Sequence, residues 1–445
     1  MAENLKNAAT VAGGARNPVL PLEHHIPDGE ARVMPDGRLY VYGSYDMLAD
    51  WYCSDRYRVA STADLREWTV HDVSFQGRDV PWFPDPRGYA SSLPADARSG
   101  VDEEGMPPPQ YASEPLLYAP DAIEHRGEYF LYFCMSDGSE GVAKSTSPFG
   151  PFSQPRQLSC TGIDPSVFID DDGQVYYYWG QLSAKGVRLD HTMTSFDPDE
   201  VVDGLLTEST HGFHEGSSVR KIGETYYFVF ADGHRGSATC LGYATSDSPL
   251  GPFRYRGVII DNAGCDPETL NNHGSIACVG GQWYVFYHRS SRGSRYFRRL
   301  CIEPIQIQAD GSIREVPMTS QGVGEPFGAG EYVEGFRACE LRGRIRIDVS
   351  SAGDERLCGA AEGDQAIFRY VSSSQGFSSI SLDVEGSGEI AAYLGGELVG
   401  HVSADGHRQT ISMEFDRHPA ENAELMLRLG RAGDLSIWGW TLGAG

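Results

Sequence analysis

A glycine followed at once by a short run of aromatic and β-branched residues occurs five times in this chain. The copies are DGRLYVYGSYD from Asp36, RGEYFLYF from Arg126, DGQVYYYWG from Asp172, GETYYFVF from Gly223 and GQWYVFYHR from Gly281. Trp, Tyr, Phe and Val suit a pleated surface, so each run reads as a strand. Ahead of each lies a shorter segment led by a polar or ionisable residue: PDGEARVM (Asp28), PDAIEH (Asp121), DPSVFID (Asp164), EGSSVRK (Glu215) and HGSIACV (His273). The spacing from leading residue to repeat glycine is nine, six, nine, eight and eight positions. Such a repeat constrains the fold strongly, because units that cannot bury their apolar faces alone must stack on one another.

Three copies carry a further echo downstream, VASTADLREWT, VAKSTSPFGPFS and YATSDSPLGPFR, where small residues, a turn and an aromatic signal the next two strands of a meander. Each repeat therefore holds about four strands. Successive repeat glycines are 90, 46, 50 and 58 residues apart, which places a large insertion in the first interval. Five such units predict a five-bladed β-propeller. The first strand of each blade lines the central channel, so Asp28, Asp121, Asp164, Glu215 and His273 are expected to converge at one mouth.

At 445 residues the chain exceeds one ordinary core. The expected division is an N-terminal tail over 1–16, the propeller over 17–328 and a second domain over 329–445. The second part alternates in RIRIDVS, AIFRYVSS, ISLDVEG, EIAAYLGG, QTISMEF, ELMLRLG and LSIWGWTLG, seven short strands that predict a β-sandwich. The fold class is thus all-β. In LSIWGWTLG the spacing of Trp438 and Trp440 projects both from one face, which suits core better than a sugar platform.

A net charge of −26 argues against nucleic acid or anionic membranes as partners and favours a neutral ligand such as an oligosaccharide. The nine cysteines include no CxxC pair and fit reduced thiols. With no apolar leader segment at the start, a cytoplasmic location is the expectation.

Any single Asp-Gly or Asp-Pro is an ordinary turn dipeptide. Four carboxylates at equivalent places in successive blades are different, since clustered like charges are costly and are tolerated mainly at working sites. Three of them around a sugar-sized pocket suggest glycoside hydrolysis, which needs an acid at the leaving oxygen and an ionised group across the ring. Glu215 suits the acid, its proton held by the neighbouring charge of Asp164, and Asp28 suits the base. His273 has three readings: a packed channel residue, a neighbour of a central metal ion, or a substrate contact. In the insertion, Trp51, Trp82 and Phe83 either wall the pocket or pin the loop to the propeller, and the Pro-rich GMPPPQY follows them.

These segments, in this order, resemble glycoside hydrolase family 43 over about residues 17–325: IPDGEARV, YAPDAIEHRGEYFLYF, IDPSVFIDDDG, HEGSSVRKIGETYYF and NNHGS. The resemblance implies that Asp28 is general base, Asp164 orients the acid and tunes its pKa, and Glu215 is general acid. It also implies that His273 sits at the channel centre, often near a calcium ion through water, and that Arg298 touches substrate. Asp121 and Tyr118 fall in a segment where the family usually has Trp in place of Tyr118. No cofactor is required for the chemistry, and a structural calcium ion is the one metal implied. The function implied is an inverting, exo-acting hydrolase releasing terminal α-L-arabinofuranosyl or β-D-xylosyl units from plant oligosaccharides. A galactosidase or galactofuranosidase of the same fold, or a sugar-binding propeller without catalysis, is the alternative. The C-terminal domain resembles a carbohydrate-binding jelly roll.

Overall fold

The structure is a computed structural model that describes residues 9–11, 14–84, 107–111 and 113–445. Each aromatic repeat forms the second strand of a blade. In the first four blades the order runs outward from the channel through four antiparallel strands. Blade one uses Glu30–Val33, Leu39–Tyr42, Arg56–Thr62 and Trp68–Gln76; blade two uses Asp121–His125, Glu128–Cys134, Ser139–Ser145 and Ser153–Thr161. Blade three is Ser166–Ile169, Val175–Trp179, Ser183–Arg188 and Val202–Thr207, and blade four is Phe213–Ile222, Thr225–Asp232, Cys240–Ser246 and Arg254–Asp261. Blade five has three strands, Ser275–Val279, Gln282–Ser291 and Ser294–Ile305.

The five repeat glycines, Gly37, Gly127, Gly173, Gly223 and Gly281, all have positive φ, between 61° and 86°. A Cβ at any of them would meet nothing within 4 Å, so glycine is there for its backbone freedom in the tight hairpin and not for space.

The aromatic strands are apolar on both faces because each is packed between two neighbouring blades. In VYYYW, Tyr176 and Tyr178 join the core shared with Phe228 and Phe230 of blade four. Val175, Tyr177 and Trp179 point the other way, to Phe130 and Tyr132 of blade two. The same alternation builds the cores between blades one and two, four and five, and five and one.

The ring closes at blades one and five, where Gly29 bridges to Gly274. The segment from Asn17 takes the fourth place in blade five: the Val19 N–H donates to Leu300 O at 3.1 Å, and the Ile302 N–H donates to Asn17 Oδ1 at 2.9 Å. The stretch 1–16, expected to be a tail, is partly built in. Ala9–Val11 adds an edge strand beside Trp68–Val70, and Arg16 pairs with Glu331 at 3.0 Å. Residues 1–8 and 12–13 lie outside the described residues.

The C-terminal part has nine strands in one hydrogen-bonded sheet instead of the seven expected. Its two long strands, Gln365–Glu385 and Gln409–Ala432, carry bulges that bend the sheet around a single core as a sandwich. This domain shares a core with the propeller: Cys339 and Ile367 pack with Tyr227, Val285 and Met318. Glu355 adds a buried ion pair with Arg299 and accepts from Arg292 Nε at 3.2 Å. Both tryptophans are buried, as expected of core, but they do not share one face. A register shift next to Gly439 puts Trp440 in the core, whereas Trp438 lies outside that cluster with the Arg408 guanidinium 3.9 Å above its ring.

Candidate active site

Asp28, Asp164, Glu215 and His273, from four different blades, line one cavity of about 640 Å³ together with Tyr118 and Arg298. Asp28 and Asp164 precede the first strands of blades one and three, both in the left-handed region, with φ of 58° and 56°. Asp adopts this conformation more readily than most residues, yet finding it twice at equivalent positions marks local strain held by the surroundings. In blade four the register shifts on both sides of Glu215, and such bulges re-aim a side chain.

Asp28 is buried and densely bonded. The Ser44 hydroxyl donates to its Oδ2 at 2.6 Å and Arg298 Nη1 donates to its Oδ1 at 2.8 Å. Burial pushes this carboxyl up, but Arg298, His288 and His273 together outweigh burial and hold it below the usual carboxylate range. Arg298 is itself fixed by Asp46, whose Oδ2 accepts from its Nε at 2.9 Å and whose Oδ1 accepts from Nη2 at 2.9 Å. His288 Nε2 faces two acceptors of Asn271, the backbone oxygen at 3.1 Å and Oδ1 at 3.3 Å, which places a proton on Nε2. Its Nδ1 lies 3.3 Å from Asp28 Oδ1.

His273 stands between the two aspartates, with Nδ1 3.6 Å from Asp164 Oδ2 and 3.9 Å from Asp28 Oδ1. Burial lowers its pKa more than the nearby carboxylates raise it, which favours the neutral ring. Asp164 is pushed up well above its ordinary value, by burial first and then by the charges of Glu215 and Asp28. Glu215 is only half-buried and accepts from Gln181 Nε2 at 2.9 Å.

Asp121 is corrected. It lies further along the channel, fully buried, and its Oδ2 accepts from Arg32 Nη2 at 2.5 Å and from the Val167 N–H at 2.8 Å. Its spacing of six, where the others have eight or nine, was the signal in the sequence. Tyr118, nine positions before Gly127, takes the cavity place instead. Trp82 and Phe83 are corrected too: both pack into the core between blades one and two, with Trp82 Nε1 donating to Ser139 Oγ at 3.2 Å. Trp51 does line the cavity, and its Nε1 donates to the Tyr118 hydroxyl at 3.3 Å. Residues 85–106 and 112 of the insertion, including the start of GMPPPQY, lie outside the described residues.

The carboxylates further along the channel are not free to ligate the expected calcium ion directly. Such an ion takes about six to eight oxygen ligands. Here the channel carboxylates are already neutralised: Arg32 holds Asp121 and lies 3.2 Å from Glu30, and Arg220 also pairs with Glu30. Among the described residues no group of three or more His, Cys, Asp or Glu is arranged to hold a metal ion.

Ser44, Asp46, Gln181, His234 and His288 were missed in the sequence. All lie in or just past the ends of the aromatic strands. Antiparallel pairing sets that end beside the start of the first strand, so a polar residue there belongs to the same mouth.

A sequence model described as Glycosyl hydrolases family 43 matches residues 99–313. A xylosidase/arabinosidase of Thermoclostridium stercorarium is 31% identical over 377 residues, covering 73% of this chain and 72% of the relative. A β-D-galactofuranosidase of Aspergillus niger is 30% identical over 337 residues, covering 72% and 90%. A crystal structure of a family 43 β-xylosidase/α-arabinofuranosidase from a compost microbial metagenome, with xylotriose and in a calcium-free form, superposes with a TM-score of 0.54. It is 27% identical and covers 68% of this chain and 98% of its own.

Proposed function

The chain belongs to glycoside hydrolase family 43 and is a glycoside hydrolase, and from that membership we propose that it cleaves single terminal α-L-arabinofuranosyl or β-D-xylosyl units from plant-derived oligosaccharides with inversion. In this reading Asp28 is the general base. It stays ionised at neutral pH, and its Oδ2 carries one donor, Ser44, which leaves a lone pair for water. As water attacks the anomeric carbon, Asp28 takes its proton and the bond to the leaving oxygen breaks. Glu215 delivers the proton that this oxygen needs. Asp164, which lines the same cavity beside Glu215, orients the acid. Arg298 holds the base and reaches the sugar.

The observation that carries this reading is the pairing, within one cavity, of a carboxylate held ionised by Arg298 and a second carboxyl set beside the raised Asp164. The substrate class follows the names of relatives. A galactofuranosidase relative keeps galactofuranosides as the second reading. A panel of nitrophenyl glycosides separates the two, and activity confined to a galactofuranoside would overturn the first. Glu215→Gln is expected to reduce hydrolysis of an oligosaccharide about 10²–10⁴-fold. The loss on nitrophenyl glycosides should be smaller, because nitrophenolate leaves without a proton. An equal fold-loss on both substrates rules out Glu215 as the acid. Nine free cysteines support a reducing, cytoplasmic location. The shared core favours a bracing role for the C-terminal domain.

A further inference from the structure

The cavity extends well past the space between Asp28 and Glu215. Its lining continues to Glu208 and His214 before Glu215, to His234 past the second strand of blade four, and to Arg295 and Tyr296 at the start of the third strand of blade five. At about 640 Å³ it exceeds the needs of a single pentose, since cavities of about 300–1,000 Å³ enclose drug-sized ligands.

The charges in this outer part are unequally matched. Glu208 lies 3.4 Å from His214 Nδ1. The buried Asp232 holds His234 Nδ1 at 2.7 Å and accepts from the Tyr255 hydroxyl at 2.7 Å. Arg295 has no such counterpart: among the described residues its half-buried guanidinium makes no hydrogen bond or ion pair. In a chain with 62 acidic and 36 basic residues, a cavity-facing guanidinium left without a carboxylate is unusual. Asp28, Asp164, His273 and Arg298 are buried at the inner end of the cavity, whereas Glu208, His214 and Arg295 are exposed or half-buried, which sets Arg295 toward the mouth, where the leaving portion of a substrate cut at its terminal unit lies. Tyr52 and Tyr296 stand edge to face with centroids 4.8 Å apart, and Trp51 adjoins both, a wall suited to sugar faces.

We propose that Arg295 binds a carboxylate on the leaving portion of the substrate, so that the preferred oligosaccharide carries a uronic acid near the unit from which the terminal pentose is cut. The guanidinium fork matches a carboxylate with two parallel N–H bonds, a fit that a neutral hydroxyl does not offer. This inference rests on the hydrolase reading for which side is the leaving side.

The test measures binding by calorimetry to the full-length Glu215→Gln protein, using two xylo-oligosaccharides of equal length, one neutral and one bearing a glucuronic acid branch. The acidic ligand is expected to bind about tenfold tighter, and adding Arg295→Gln should bring the ratio of the two affinities to about one. Reading a ratio prevents a general loss of binding from imitating the result. Added salt should shrink the preference. Equal affinities in the Glu215→Gln protein, or a preference that survives Arg295→Gln, would overturn the proposal. Turnover is read separately on the unmodified enzyme. Preferential acid binding with no pentosidase activity would defeat the hydrolase reading and leave the carboxylate site standing.

Discussion

Replacing Arg298 with Met removes the guanidinium that joins Asp28 and Asp46. In the structure four N–H donors reach the two carboxylates: the backbone N and Nε bind Asp46 Oδ2, Nη2 binds Asp46 Oδ1, and Nη1 binds Asp28 Oδ1. Arg298 is 2% exposed, so the ion pairs it makes are buried. Breaking a buried ion pair by deleting one partner costs about 3–5 kcal/mol. Two carboxylates share this cation, which puts the expected loss at about 5 kcal/mol near neutral pH. Asp28 is now held below its ordinary pKa, so its contribution to stability is present above the unfolded value and lost as pH falls through the folded one. Without Arg298, burial dominates and the sign reverses, because protonating Asp28 then relieves the variant. The stability gap between wild type and variant should therefore narrow as pH is lowered from 7 to 5, read by urea unfolding at each pH. The acid limb of kcat/KM should move upward, from below the ordinary carboxylate range to above it, because burial is then the largest influence left on Asp28. Arg298→Lys keeps the charge without the fork, and its limb should fall between the two. An unmoved acid limb, or a stability gap that widens at low pH, refutes this account of how Asp28 stays ionised.

Gly216→Ala places a Cβ at φ +79°, 2.9 Å from His273 Cδ2. The left-handed backbone alone costs Ala about 1–2 kcal/mol, so both Tm and kcat should fall, and wild-type values for both would refute the close approach. Glu140 is buried with its Oε1 unpartnered, and burial pushes its carboxyl up to about 7. Its folded pKa is raised, so stability tied to it is full below about pH 4.5 and lost as pH rises through about 7. Glu140→Gln should thus gain on wild type across that window, by on the order of 2–3 kcal/mol at pH 8, measured by urea unfolding; no change in relative stability with pH would contradict it. Because arginines neutralise the channel carboxylates, EDTA should leave Tm and activity unchanged, and a drop in Tm that calcium restores would show that an ion binds.

What the sequence determined by itself is local. A strand turns its side chains to alternate faces, so a run apolar at every position must lie between two neighbours, and five such runs call for a ring of blades. The near-constant offset of Asp28, Asp164, Glu215 and His273 from their glycines brought them to one mouth, and the shorter offset of Asp121, which the repeat pattern grouped with them, matches its place further along the channel. Period two puts the adjacent arginines on opposite faces, and the structure shows which is which: Arg298 turns to the cavity and Arg299 to Glu355. Only the closed tertiary structure decided the rest. Arg298 meets Asp28 from 270 positions away because blades one and five join. Asp46 and His288 became part of the site through that junction, Trp82 and Phe83 were taken into an inter-blade core, and one bulge parted Trp438 from Trp440. Strand periodicity is carried by neighbouring residues along the chain. Partners across a ring, and the charges that tune each carboxyl, exist only once the ring has closed.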